Sequence, residues 1–486
     1  MNYKIKGYEP EKLFNFFEEI SAIPRGSSNE KEISDYIVNF AKKRNLWVYQ
    51  DELYNVIIKK EASKEAKNKK PIMLQGHLDM VCEKLSDSNH DFTKDGIDLI
   101  VKDGILTANK TTLGGDNGAA VALMLAILDD ESISHPKLEC VFTTQEETGL
   151  GGAHFLDKSL IDARTMINLD SEEEGIATVS CAGGMRFSLI KSIQKEKKDG
   201  VALSISIDGL LGGHSGMDIN QERQNANILL ARLLNQAIVD SDAYLSEFNG
   251  GSKDNAIPRS SSAVLLFENE EEAKTAEDKL KNTAEELKKE IIPFEKDFVI
   301  SIKSEKACLN VMNKKDSKDL ISAVYMAPNG VLNRNLKQDG FVVTSSNLGV
   351  VKTEDEEIRI VFAPRSSVKS LQEDTTARLT LLGETFGFKC EIAGEYPGWS
   401  FAEHSPIRDI FIESYKNLFN DDLKIEAIHA GLECGLFSDA IEGLDAIAVG
   451  PTIKGCHTPD EYIPLDSFER FYTLLCDVLK REALDK

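Results

Sequence analysis

The sequence predicts an α/β protein: a discontinuous domain with a mostly parallel central sheet flanked by helices, interrupted by an inserted α+β lid with an antiparallel sheet. Three features point there. The first 184 residues interleave helix-periodic stretches with short apolar runs, the middle of the chain switches to strands with one apolar face, and beyond about Tyr396-Pro397-Gly398-Trp399 the first texture returns. At roughly 150 residues per domain, a chain of 486 residues accommodates two or three domains. The boundaries read as 1–184 and 398–486 for the discontinuous domain and 185–397 for the insert.

In chain order, Leu13 to Ile20 and Ile33 to Lys42 have helical spacing, and Val56-Ile57-Ile58 and Ile72-Met73-Leu74 are short buried strands. Val121 to Leu128 is an apolar helix, followed by strands at Cys140-Val141-Phe142 and Met166-Ile167-Asn168-Leu169. In the insert, Leu203 to Ile207 and Phe298 to Ile302 alternate polar and apolar residues, the mark of a half-exposed antiparallel sheet. Asn225 to Ile238 is helical. Ala273, Ala276, Leu280, Ala284 and Leu287 recur every three or four residues in a charged stretch, which makes the charges a solvated helix face. A strand-strand-helix pattern recurs near 186–240 and 341–385. The last segment offers a helix from Ile407 to Leu418, a strand at Ala446 to Val449 and a closing helix from Leu465 to Arg481.

A hydrophobic share of 41% with 7% aromatic residues is ordinary for a folded protein. With 81 acidic against 57 basic residues, the net charge of −24 repels phosphate backbones and anionic lipid, so neither nucleic acid nor membrane is an expected partner. A small-molecule or cationic partner fits better. The stretch Met1 to Gly7 lacks the apolar core of a signal peptide, and no apolar run reaches the roughly 18 residues that span a bilayer. A cytoplasmic location is expected. The eight cysteines form no CxxC pair and are expected to be reduced and mostly buried.

Five short segments place proton-transferring or metal-binding groups at the end of an apolar run or in a glycine-rich loop. In Leu74-Gln75-Gly76-His77-Leu78-Asp79, two positions apart on a strand, the carboxylate of Asp79 is able to hold His77 in one tautomer while the other ring nitrogen meets a metal. In Gly114-Gly115-Asp116-Asn117-Gly118, Asp116 reads either as a helix N-cap or as a carboxylate bridging two cations. Glu146 and Glu147 follow an apolar strand. They are either an exposed acidic loop or a pair compensated by a cation, one binding metal and the other acting on water. Asp170 ends a strand, and His457 lies in the late loop Gly455-Cys456-His457-Thr458-Pro459; a cap and a solvent-facing side chain are their plain alternatives. His214, in Gly212-Gly213-His214-Ser215-Gly216, belongs to the insert, and the other five histidines read as surface or structural. Two imidazoles with several carboxylates suit zinc, manganese or cobalt better than magnesium or calcium. Two such ions about 3.5–4 Å apart, sharing a hydroxide, constitute hydrolytic machinery.

Taken in order, these segments resemble the co-catalytic zinc peptidase family that includes carboxypeptidase G, peptidase T and peptidase V, and within it the aminoacyl-histidine (Xaa-His) dipeptidase branch. The resemblance runs nearly end to end. It takes in Ile23-Pro24-Arg25-Gly26-Ser27, Gly213-His214-Ser215-Gly216, Asp254-Asn255-Ala256-Ile257-Pro258-Arg259, Ala363-Pro364-Arg365-Ser366 and His429-Ala430-Gly431-Leu432-Glu433-Cys434-Gly435.

The resemblance implies two divalent ions, zinc above manganese or cobalt, one held by His77 and Asp170, the other by Glu147 and His457, with Asp116 bridging and the peptide after it cis. It implies Glu146 as general base, Asp79 as the residue orienting His77, and His214 as the group that polarises the scissile carbonyl when the lid closes. Asn255, Arg365 and the Gly431 backbone are implied to bind substrate, Arg365 gripping the free carboxylate of a dipeptide. Asp170 stands where several relatives have Glu, which is implied to favour aminopeptidase and dipeptidase action. The expected activity is hydrolysis of Xaa-His dipeptides, including β-alanyl-histidine, by a homodimer formed through the lid. Two alternatives stand beside it: a broader dipeptidase, aminopeptidase or N-acyl amino acid amidohydrolase, and a non-catalytic peptide-binding protein.

Overall fold

The structure, a computed structural model, describes residues 3–238, 241–337 and 340–484. The chain forms two compact units, one of Met1–Ser180, Trp399–Ala427 and Leu432–Lys486, the other of Cys181–Gly398 and Ile428–Gly431.

The first unit is built on an eight-stranded sheet in the order 47–50, 56–60, 138–143, 72–77, 165–168, 445–448, 176–181 and 424–428. The four strands at its centre, from Leu138–Thr143 through Ile72–His77 and Thr165–Asn168 to Asp445–Ala448, are parallel. The strands Trp47–Gln50, Val56–Lys60 and Ile176–Cys181 join antiparallel. The central strands are apolar and buried on both faces, as the short runs required. Helix Gly115–Asp129 is rich in alanine and apolar all round, and its residues from Asn117 to Leu128 are buried. Helices Glu11–Ser21, Lys31–Lys43, Pro406–Phe419 and Leu465–Leu484 bury one face each.

The second unit has a nine-stranded antiparallel sheet, with main order 299–312, 195–208, 261–267, 244–250, 341–353, 357–366, 183–192 and 389–396. The alternating runs expected at 203–207 and 298–302 pair with each other, Ile205 opposite Ile302. Helices Ala226–Ile238, Glu270–Ile291, Lys314–Met326 and Lys369–Phe386 share a core with the sheet residues Phe187, Leu203, Phe248, Leu265 and Phe362. The charged helix buries Ala273, Ala276, Leu280, Ala284 and Leu287 with Ile291, so its charges face water.

None of the eight cysteines is in a disulfide, but only Cys140, Cys181 and Cys434 are buried; Cys82 and Cys308 are exposed. The expectation of mostly buried thiols is therefore corrected. Cys308 lies on the edge strand Val299–Met312, and Cys82 in the loop after the His77 strand, where no core covers them. Among the described residues no helix is long and apolar enough to cross a membrane.

Candidate active site

The parallel strands of the first unit deliver their chemistry at one edge, because their carboxyl ends all face the same way. His77 closes the strand Ile72–His77 and Asp79 follows it; Glu146 and Glu147 follow Leu138–Thr143, Asp170 follows Thr165–Asn168, and the loop after Asp445–Ala448 carries His457. The two glutamates lie in the turn beyond that strand, with Gln145 at φ 53°.

Asp116 arrives from the turn ahead of the buried helix, and the Asp116–Asn117 peptide is cis. Both residues lie outside helical geometry. The cap is supplied by Asn117, whose Oδ1 accepts the Ala120 N–H at 3.3 Å. The N-cap reading of Asp116 is corrected accordingly. The Asp116 oxygens instead face two imidazoles: Oδ1 lies 3.1 Å from His77 Nε2 and Oδ2 lies 3.0 Å from His457 Nε2.

Asp170 Oδ1 is 3.5 Å from His77 Nε2, and Glu147 Oε2 is 3.2 Å from His457 Nε2. Among the groups able to hold an ion, two share Asp116 with one imidazole each, His77 with Asp116 and Asp170, and His457 with Asp116 and Glu147; His77, Glu146 and Glu147 form another. Ligand atoms around a tetrahedral zinc with bonds near 2.0–2.1 Å are about 3.3 Å apart, close to these separations. Glu147 Oε1 is buried with no hydrogen-bond partner, an acceptor left over inside the cluster. Geometry, donor set and the orphaned oxygen all fit a pair of divalent ions. Glu146 Oε2 lies 4.0 Å from His77 Nε2 and reaches neither Asp116 nor Asp170 in these groups. Glu172 and Cys456 form a further group with Asp116, one that carries no separate signal in the sequence.

A buried frame holds these side chains. His77 Nδ1 is 3.1 Å from the Asp79 backbone carbonyl and 3.4 Å from Asp79 Oδ1, and the two carboxylate oxygens also accept from Ser27 Oγ and the backbone N–H groups of Glu146 and Glu147. One carboxylate thus orients the first imidazole and the glutamate turn together. Arg25, buried, donates to the carbonyls of Leu78, Asp79 and Gly114. Glu461, also buried, accepts from the backbone N–H groups of Leu113, Gly114 and Asp116 at 2.7, 2.9 and 3.2 Å. Beneath the strands, Glu433 Oε2 accepts from Gln75 and Thr143, Gln75 Oε1 accepts from Asn168, and Asn168 Oδ1 accepts from the Asp170 N–H. Sequence reasoning assigned none of Glu461, Glu433, Gln75 and Asn168 a role.

The crowding of carboxylates shows in the titration of both imidazoles, Asp116 and Glu146. Burial opposes a charge on His77, but Asp170, Asp116 and Asp79 outweigh it and hold its pKa well above the ordinary value. Hydrogen bonds to Asp116 and Glu147 raise His457 to about 11. Burial would raise Asp116, yet the two imidazoles bring it below the usual carboxylate range. Burial, with Asp170, Glu433 and Glu147 nearby, pushes Glu146 well up against the pull of His77. Such a cluster draws in cations.

The second unit carries a separate set. The short ladder of Gly213–His214 with Ala256–Ile257 sets His214 opposite Ala256, next to Asn255. Asn347, buried, ties that segment down through the carbonyls of Asp254 and Ala256. His214 Nδ1 accepts from the N–H groups of Gly216 and Met217 at 3.2 and 3.1 Å, so the neutral ring carries its hydrogen on Nε2. Burial and the Arg365 charge keep that ring's pKa below the ordinary value. Arg365 lies on the strand Glu357–Ser366, Gly431 lies in the short segment 428–431, and His429 Nε2 is 2.7 Å from Ser345 Oγ. His429, read as surface or structural, is thus held by a hydrogen bond.

Comparison with known proteins agrees with this architecture. The family model described as peptidase family M20/M25/M40 matches residues 73–481. The chain is 38% identical over 480 residues to the cytosol non-specific dipeptidase of Escherichia coli, covering 97% of each chain. It superposes on the crystal structure of aminoacylhistidine dipeptidase from Vibrio alginolyticus with TM-score 0.93 and 35% identity, covering 99% of this chain and 98% of the other. Aminopeptidase PepT from Bacillus cereus shares the fold at TM-score 0.56 and 16% identity, covering 99% of this chain and all of the other. The expected α/β fold with its antiparallel insert and the expected family are therefore found together: the chain belongs to peptidase family M20/M25/M40 and is a hydrolase.

Proposed function

We propose that this chain is a cytoplasmic dipeptidase that works with two divalent ions, zinc foremost and manganese or cobalt as substitutes, and hydrolyses Xaa-His dipeptides, β-alanyl-histidine among them. The observation that carries the reading is the division of the Asp116 carboxylate between His77 and His457. His77, Asp116 and Asp170 would hold one ion, and Asp116, Glu147 and His457 the other. When bound, the ions supply polarisation of a water molecule and of the scissile carbonyl. Glu146 takes the proton of the attacking water and returns it to the leaving amine, a role that suits a carboxylate placed beside the ligand cluster without belonging to the two groups that share Asp116. Asp79 keeps His77 in the tautomer whose Nε2 is free. His214 donates from Nε2 to the oxygen on which negative charge develops, while Asn255 and the Gly431 backbone line the peptide and Arg365 takes its carboxylate.

A second reading, a dipeptidase of broader range, is supported by the description of the Escherichia coli relative as non-specific. A homodimer through the second unit is proposed on its long edge strand Val299–Met312, which pairs along one side with Lys195–Asp208. Sedimentation measures that directly. The activity is tested by hydrolysis of β-alanyl-histidine before chelation, after chelation and after return of zinc, beside a panel of other dipeptides and N-acetyl amino acids. Cleavage of the dipeptides that vanishes with chelator and returns with metal is expected. Cleavage untouched by chelation, or confined to the N-acetyl compounds, contradicts the reading.

A further inference from the structure

We propose that Tyr396 is a substrate-binding residue that, with Arg365, forms the site for the free carboxylate at the C-terminus of the dipeptide; this rests on the reading of Arg365 above and extends it. Arg365, Gly184 and Tyr396 stand in one row across three antiparallel strands, Arg365 paired with Gly184 and Gly184 with Tyr396. A side chain in the middle of such a row would fill the space between its neighbours. Gly184 leaves it open: a Cβ there would lie 2.7 Å from Tyr396 Oη. A Cβ on Gly431 would likewise lie 2.8 Å from the ring. Two positions without side chains thus seat the phenol, and its oxygen accepts from Arg365 Nη1 at 2.8 Å.

Because the guanidinium can only donate, the phenol keeps its own hydrogen, and among the described residues no acceptor takes it. Arg365 Nε is buried with no hydrogen-bond partner, and among the described residues its guanidinium donates to the Tyr396 oxygen and to no carboxylate. The nearby imidazoles, neutral or cationic by nature, supply no counter-charge, and burial with Arg365 keeps them neutral by lowering the pKa of His214, and of His429 to about 3. Unspent donors from a planar cation and a phenol, side by side and without an acid, match a carboxylate.

The test compares metal-loaded wild type, Tyr396→Phe and Arg365→Ala on β-alanyl-histidine and on its C-terminal amide. Losing one hydrogen bond to a charged group costs about tenfold or more in affinity. Tyr396→Phe is expected to raise KM for the acid by about that factor, with kcat, metal content and Tm held and kcat/KM for the amide unchanged. A packing role would instead lower both substrates together with Tm, and that result, or no change on either substrate, overturns the proposal. If Arg365→Ala loses the acid selectively while Tyr396→Phe does not, Tyr396 alone is excluded. If neither variant separates acid from amide, the reading of Arg365 falls with it.

Discussion

The Glu461 carboxylate accepts the backbone N–H of Asp116 at 3.2 Å across 345 residues of chain. Its other oxygen takes the N–H groups of Leu113 and Gly114, so one buried acid fixes the turn on which the shared carboxylate of the site stands. Glu461→Ala strands three donors. A cost of about 3 kcal/mol or more in stability is expected, together with loss of bound metal. Denaturant unfolding and metal analysis check this; a variant with wild-type stability and full metal content contradicts it.

The buried Glu433 gives the metal-free protein a pH dependence of definite sign. Burial raises its pKa to about 7 in the folded chain, above the ordinary glutamate value of 4.5. The folded state therefore holds this proton more tightly than the unfolded state, and the group's contribution to stability falls as pH rises from about 4.5 to about 7. Glu433→Gln keeps an acceptor for Gln75 and Thr143 and removes the charge. In chelated protein its stability relative to wild type is expected to climb across that window, by up to about 3 kcal/mol above pH 7. Parallel stability profiles for the two proteins contradict this.

Glu146 and His457 are expected to separate chemistry from metal binding. Glu146→Ala should abolish turnover, by a factor of about 100 or more, while metal content stays near that of wild type; His457→Ala should lose metal. Turnover retained in Glu146→Ala excludes it as the base.

His214→Ala is expected to lower kcat by about 100- to 1,000-fold with metal content unchanged, since its ring belongs to the second unit. Steady-state kinetics beside metal analysis distinguish this from a structural defect, which would lower metal content or Tm as well.

The sequence made the ligand positions legible because the parallel strands are short and largely apolar, and His77, Glu146 and Glu147, or Asp170 come at their carboxyl ends or within four residues of them. Periodicity likewise revealed the solvated face of the helix Glu270–Ile291. The supporting frame was not legible. Glu433 meets Gln75 from 358 residues away, and Glu461 meets Asp116 from 345, so neither leaves a local pattern. At the turn, Asp116 and Asn117 are both good caps, and only the backbone geometry decides that Asn117 does the capping. Tyr396 was invisible for a similar reason: its seat consists of two glycines, Gly184 and Gly431, that are far apart in the chain.

The most direct measurement is the number of zinc ions bound per chain in wild type and in Asp116→Ala, by metal analysis after exhaustive loading and desalting. Wild type is expected to hold two. Asp116→Ala is expected to hold fewer than one, because a shared ligand lost from both groups weakens both. Two ions retained in Asp116→Ala, or a single ion in wild type, would contradict a centre organised around that carboxylate.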